Sequence, residues 1–129
     1  MIPYYETIIK NEIEKNPEKH GFDIGWKAPD FVLHKISDCG ITDDTTINNL
    51  ALLCIDYMNR GIPVFIHCYG GHGRAGTLAG IILSKLTSWN LFDIRKYLQT
   101  VHDYRINYVE CLCPQRPIQV TQLNRFIRK

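Results

Sequence analysis

His67-Cys68-Tyr69-Gly70-Gly71-His72-Gly73-Arg74-Ala75-Gly76-Thr77 lies between two apolar runs, Ile62-Pro63-Val64-Phe65-Ile66 before it and Leu78-Ala79-Gly80-Ile81-Ile82-Leu83 after it. That order reads as a short buried strand, a glycine-rich turn and the start of a buried helix. The turn bends a cysteine at the strand end and an arginine at the helix start around one point. Successive backbone N–H groups point into such a turn, and the helix N-terminus adds partial positive charge. The turn is built for an anion.

Outward from the turn, Phe31-Val32-Leu33-His34-Lys35-Ile36 reads as a second strand. The turn-rich loop Ser37-Asp38-Cys39-Gly40-Ile41-Thr42-Asp43-Asp44 follows, and one of Asp43, Asp44 or Thr45 caps a helix over about 46–59. The apolar face of that helix is Ile47, Leu50, Ala51, Leu53, Cys54, Tyr57 and Met58, and Gly61 sits where a C-cap is expected. Strand, helix, strand implies a right-handed crossover and two parallel strands ending on one sheet edge. Ligands bind at that edge in open α/β sheets, and here it carries Asp38 and Cys68.

The remaining elements are helical. Residues 3–15 form a helix with Pro3 in its first turn and Tyr5, Ile8, Ile9 and Ile13 on one face. Asn16-Pro17 ends it, and residues 17–30 form a loop with room for a short strand. The helix at about 74–87 is apolar nearly all round and therefore central. A third helix, about 91–104, is capped by Ser88 or Asn90 and shows Ile94, Leu98 and Val101. Residues 105–116 connect it to a last helix, opened by Pro117, that presents Val120, Leu123, Phe126 and Ile127. The expected architecture is a single α/β domain over residues 1–129, with a small, mostly parallel sheet flanked by helices.

Composition narrows the function. A chain of 129 residues with 45% hydrophobic and 22% charged residues is of the soluble globular kind. A net charge of +2 supplies no basic arm for nucleic acid. No apolar run approaches the roughly 18 residues of a membrane span, the N-terminus lacks a signal-peptide core, and the C-terminus lacks a prenylation cysteine. Five cysteines, an odd number, suit a reducing cytoplasmic or nuclear location better than a disulfide scaffold. Cys111-x-Cys113 is too tight for a usual zinc pair and has no second pair, so no metal or other cofactor is expected.

Three motif families compete for residues 67–77. Gly71-His72-Gly73-Arg74-Ala75-Gly76 satisfies G-x-G-x-x-G, but the dinucleotide fingerprint needs an acidic residue about 20 positions on, at a strand end. Asp93 has that spacing and lies in a helical pattern. Gly71-x4-Gly76-Thr77 resembles a nucleotide P-loop without its lysine. The third motif uses the residues that these two ignore. The sequence resembles the cysteine-dependent protein tyrosine and dual-specificity phosphatases, whose signature is H-C-x-x-G-x-x-R-[ST]; it is matched by His67, Cys68, Gly71 and Arg74, with Gly73 and Gly76 alongside.

The resemblance covers about residues 31–127 and implies a protein-tyrosine-phosphatase-like fold and phosphomonoester hydrolysis. A thiol of pKa about 8.5 is mostly protonated, and a nest of amides at a helix N-terminus can bring it to about 3.5–7.5. Cys68 is then the nucleophile. Arg74 holds two equatorial phosphoryl oxygens with its planar fork, and Tyr69, Gly70, Gly71, His72 and Gly73 complete the phosphate-binding loop. His67 is expected to be a buried imidazole that orders the loop. Ile36-Ser37-Asp38-Cys39-Gly40-Ile41-Thr42-Asp43 resembles the general-acid loop of the cyclin-dependent-kinase-associated phosphatase type, which makes Asp38 the acid. Ala28-Pro29-Asp30 is similar to the end of a W-P-D loop, but Asp30 stands before its strand instead of after it. Gln115-Arg116-Pro117-Ile118-Gln119 resembles the glutamine loop that positions the hydrolytic water, through Gln115 and Gln119.

Two departures matter. The family usually has Ser or Thr after the signature arginine, and Ala75 stands there as in the phosphatases of regenerating liver, which implies slow release of phosphate. Family domains also begin with two or three strands that this chain lacks, so its sheet is small or its edge is covered by residues 17–30 or by a partner chain. Residues 69–73 contain no lysine, which leans toward a phosphorylated protein or peptide, on phosphotyrosine or phosphoserine and phosphothreonine. The alternative is a pseudophosphatase that binds phosphorylated partners without turning them over.

Overall fold

The computed structural model describes residues 11–16, 31–68, 72–105 and 110–127. The chain divides into two units, residues 1–35 and 36–129. In the first, residues 11–15 are helical. The Asn16 N–H donates to the Glu12 carbonyl (2.9 Å) and its side-chain amide to the Glu12 carboxylate (3.2 Å), closing the turn before Pro17. The rest of the helix expected over 3–15, and the loop over 17–30, lie outside the described residues.

The second unit is built on four helices: α1 (Asp44–Asn59), α2 (Arg74–Leu86), α3 (Leu91–Asp103) and α4 (Pro117–Phe126). Each starts for a local reason. Asp43 caps α1, its carboxylate accepting from the Thr46 N–H (2.9 Å) and hydroxyl (2.7 Å). Asn90 caps α3 by accepting from the Asp93 N–H (2.8 Å). Pro117 opens α4, and the Arg116 N–H donates to Gln119 Oε1 (3.0 Å), the reciprocal half of a capping box. At the other end of α1, Gly61 takes φ +76°; its N–H donates to Met58 O and that of Ile62 to Tyr57 O, a Schellman closure.

The central element is α2, packed against α1, α3 and α4. Its Ile81 and Ile82 meet Ile47 and Ala51 of α1, Ile94 and Leu98 of α3 and Leu123 of α4 in one core. Two glycines set the spacing. A Cβ on Gly76 would stand 2.7 Å from Cys113 Sγ, and one on Gly80 would stand 2.9 and 3.0 Å from the two methyls of Leu123. Leu123 is fully buried and cannot retreat. Overpacking of this kind costs about 2 kcal/mol and helix propensity returns about 1 kcal/mol. Gly80→Ala is therefore expected to destabilise the protein by about 1 kcal/mol in urea unfolding; an unchanged or raised midpoint would contradict this packing.

Some expected faces turn out differently. Leu53 and Met58 of α1 are exposed, because they lie off the stripe of Ile47, Ala51, Cys54 and Ile55 that joins the core. On α3 the stripe runs Ile94, Leu98, His102, at steps of four, so His102 is buried and Val101 faces out. In α4 the buried positions beside Leu123 are two amides, Gln119 and Gln122.

The parallel sheet expected from residues 31–36 and 62–67 is not formed: among the described residues there is no strand. Val32 and Leu33 are exposed in one segment, and Phe65 is 86% exposed in the other. The physical reason is strand number. Parallel ladders are weaker per residue than antiparallel ones, and fewer than three strands rarely hold together. The described residues supply two short candidates, 31–36 and 62–67.

Candidate active site

Cys68 stands at the end of the extended segment 62–68, and Arg74 opens α2 five residues after Tyr69. Tyr69, Gly70 and Gly71 lie outside the described residues. Cys68, His72, Gly73 and Arg74 line a cavity of about 280 Å³ together with Asp38, Cys39, Gln115 and Gln119. The cavity thus gathers the described loop residues, the expected acid and both expected glutamines.

Arg74 is oriented by the loop that carries Asp38. Its Nη1 donates to the Ile36 carbonyl (3.0 Å), and its Nη2 makes a long contact with Asp38 Oδ1 (3.4 Å). Asp38 is 84% exposed, so the pair is a weak, solvated one. The carboxylate also accepts from the Cys39 N–H (2.9 Å). Cys39 takes φ +62°, and the Gly40 N–H donates to Ser37 O (2.8 Å), so residues 37–40 close a turn of type II character. A non-glycine residue in the left-handed region costs about 1–2 kcal/mol. The surrounding contacts hold it there.

Those contacts come from α4. Gln119 Nε2 donates to Gly40 O (3.1 Å), and Gln122 Nε2 donates to Thr42 O (2.7 Å) and Asp44 Oδ1 (3.0 Å). Asp44 also accepts two bonds from Arg125 (2.8 and 2.7 Å), and these hold its carboxyl down at about 2. Gln119 has Arg116 N–H on one end of its amide and Gly40 O on the other. It is a strut of the acid loop. A Cβ on Gly73 would stand 2.7 Å from this amide, so glycine is required there by Gln119 itself.

His67 departs from expectation. It is exposed, with Nδ1–H donating to its neighbour's carbonyl, Cys68 O (3.3 Å), and its ring beside Phe65. Its neighbour Ile66 packs against the core, so the next side chain along the segment turns outward.

A further group at the cavity escaped the sequence reading. His72 Nδ1 lies 2.5 Å from His102 Nε2, and His102 Nδ1 lies 3.0 Å from Asp103 Oδ1. The sequence signal was a histidine four residues beyond Leu98 on a buried stripe. Gln99 Nε2 also donates to Asp103 Oδ1 (2.9 Å) and to Cys111 O (2.9 Å), and Gln99 Oε1 accepts from Cys113 N–H (2.9 Å). Hydrogen bonds from His102 and Gln99 lower the Asp103 pKa, while burial, Arg105 and His102 lower that of His72. None of the five cysteines is in a disulfide, and burial pushes the Cys113 thiol up to about 11. Among the described residues no group of three His, Cys, Asp or Glu side chains is placed to hold a metal ion.

A cysteine, an arginine and a carboxylate around one anion-sized cavity define a candidate site of the cysteine-dependent phosphatase class. A family model described as PTP-SAK: Swiss Army Knife protein, DSP-PTPase phosphatase domain matches residues 7–93. The chain belongs to this family of dual-specificity phosphatase domains, whose fold class is the protein-tyrosine-phosphatase-like α/β one. No curated protein and no solved structure matches the chain. The matched span contains Asp38, Cys68 and Arg74 and stops before His102, Asp103, Gln115 and Gln119.

Proposed function

We propose that the protein hydrolyses phosphomonoesters on phosphorylated proteins or peptides through a cysteinyl-phosphate intermediate. The observation that carries this reading is the convergence of Cys68, Arg74 and Asp38 on one cavity. The Cys68 thiolate attacks phosphorus from the floor of the loop. Arg74 spans two of the three equatorial oxygens, and its fork serves the spread charge of the transition state. Asp38 delivers a proton to the leaving oxygen as the P–O bond breaks. Its exposure leaves the carboxyl accessible to a substrate side chain.

The phosphoprotein preference rests on residues 69–73, which carry no lysine. A cytoplasmic or nuclear site of action is supported by five cysteines of which none is in a disulfide. Among the described residues no helix is long and apolar enough to cross a membrane.

The test compares wild type with Asp38→Ala on p-nitrophenyl phosphate and on a phosphotyrosine and a phosphoserine peptide. Loss of a general acid costs about 10²–10⁴-fold. The loss should be greatest on the phosphoserine peptide, whose alkoxide leaves worst, and least on p-nitrophenyl phosphate. A wild type that binds phosphopeptides and turns none over would establish the pseudophosphatase reading instead, for which Ala75 is the motivating residue.

A further inference from the structure

We propose that Asp103, His102 and His72 form a proton relay that makes His72 the base for the water that hydrolyses the phosphocysteine. This rests on the phosphatase reading above and deepens it. The three side chains are linked in series: carboxylate to imidazole at 3.0 Å, imidazole to imidazole at 2.5 Å, with the last residue lining the cavity beside Cys68 and Arg74. The side chain of the middle ring is only 1% exposed, so water does not compete for its nitrogens.

The hydrogen-bond polarity of the chain is fixed from its outer end. Asp103 is ionised at neutral pH and can only accept, so His102 Nδ1 carries its proton. His102 Nε2 then holds a lone pair, and the atom facing it, His72 Nδ1, must donate. The remaining nitrogen of His72, Nε2, is left with its lone pair, on a residue that lines the cavity. The groups around the relay favour that neutral state. Arg105 lies near His72 and lowers its pKa, and Arg74, Asp38 and Cys68 share its cavity. Cys113 lies near Arg105, Cys111, Cys68 and Asp103.

In the proposed step water attacks phosphorus while the Sγ–P bond of Cys68 breaks, and the sulfur keeps the electron pair as thiolate. The water's proton goes to His72 Nε2. His72 passes its Nδ1 proton to His102 Nε2, so that the positive charge rests on His102 against the Asp103 carboxylate. Inorganic phosphate leaves, and the relay returns its proton to solvent. Two neutral imidazoles become one imidazolium paired with one carboxylate.

Pre-steady-state mixing with p-nitrophenyl phosphate separates the two half-reactions. Wild type should give a burst of one equivalent of p-nitrophenol, from Cys68 phosphorylation, followed by a slower steady rate. In His72→Gln the steady rate should fall about 10²-fold, the usual weight of a general base, and at least about 10-fold more than the burst rate. Asp103→Ala, a change at a half-exposed side chain, should keep the burst and lower the steady rate about 10-fold. The rising limb of steady rate against pH should lie below the ordinary histidine value of about 6.5 in wild type, move to lower pH in Asp103→Ala, and vanish in His72→Gln. Unchanged steady rates and limbs, or equal losses of burst and steady rate, would overturn the relay while leaving the phosphatase reading standing. A wild type with no burst and no phosphocysteine would overturn the phosphatase reading, and the relay with it.

Discussion

Cys68→Ser is expected to abolish turnover while leaving phosphopeptide binding intact. The serine hydroxyl has the same reach as the thiol, but its proton is held far more tightly. On the proposed reading the Arg74 cation and the helix N-terminus favour a thiolate at position 68, whereas an alcohol of far higher pKa stays protonated in the same place. Loss of a nucleophile from a concerted site costs on the order of 10³–10⁶-fold, and the upper part of that range applies where nothing else can attack. Affinity should hold or rise, because a neutral hydroxyl repels a phosphate dianion less than a thiolate does. Steady-state assay together with fluorescence-polarisation binding of a labelled phosphotyrosine peptide checks both halves. Residual turnover above about 1% of wild type in a preparation free of wild-type enzyme would remove Cys68 from the chemistry.

Arg74→Lys should lower kcat/KM by about 10²–10³-fold, with most of the loss in kcat. The arginine occupies two sets of partners at once: Ile36 O and Asp38 Oδ1 on its protein side, and the cavity on the other. A guanidinium has five donors in a fixed plane and can satisfy both sides, whereas an ammonium is a point charge that must choose. The charge is conserved, so any loss measures fork geometry. A lysine variant with wild-type kcat and only a raised KM would show that position 74 supplies charge alone.

What could be read from sequence was local. The cysteine and arginine of a strand–turn–helix signature, the carboxylate on the preceding loop, and helix starts at Asp43, Asn90 and Pro117 all depend on residues within a few positions of one another. The sheet lies beyond a local reading because pairing is a non-local property. An alternating run such as 31–36 has the residues of a strand whether or not a partner exists, and Phe65 shows by its exposure that here none covers it. The supports of the site were hidden for the same reason. Gln119 meets Gly40 across 79 positions and His72 meets His102 across 30. His102 and Gln122 look like ordinary polar residues until the helices carrying them are turned so that they face inward.

The two buried glutamines of α4 have a consequence for how this domain can vary. Everything that touches phosphate in the proposed chemistry lies in the first three-quarters of the chain, and the amides that hold the acid loop in place lie in the last quarter. Reactivity and alignment are thus inherited from different stretches of sequence. Drift in the C-terminal helix would detune the site without altering any reactive group, and a copy of the signature transplanted without that helix would carry the reagents and lack the jig.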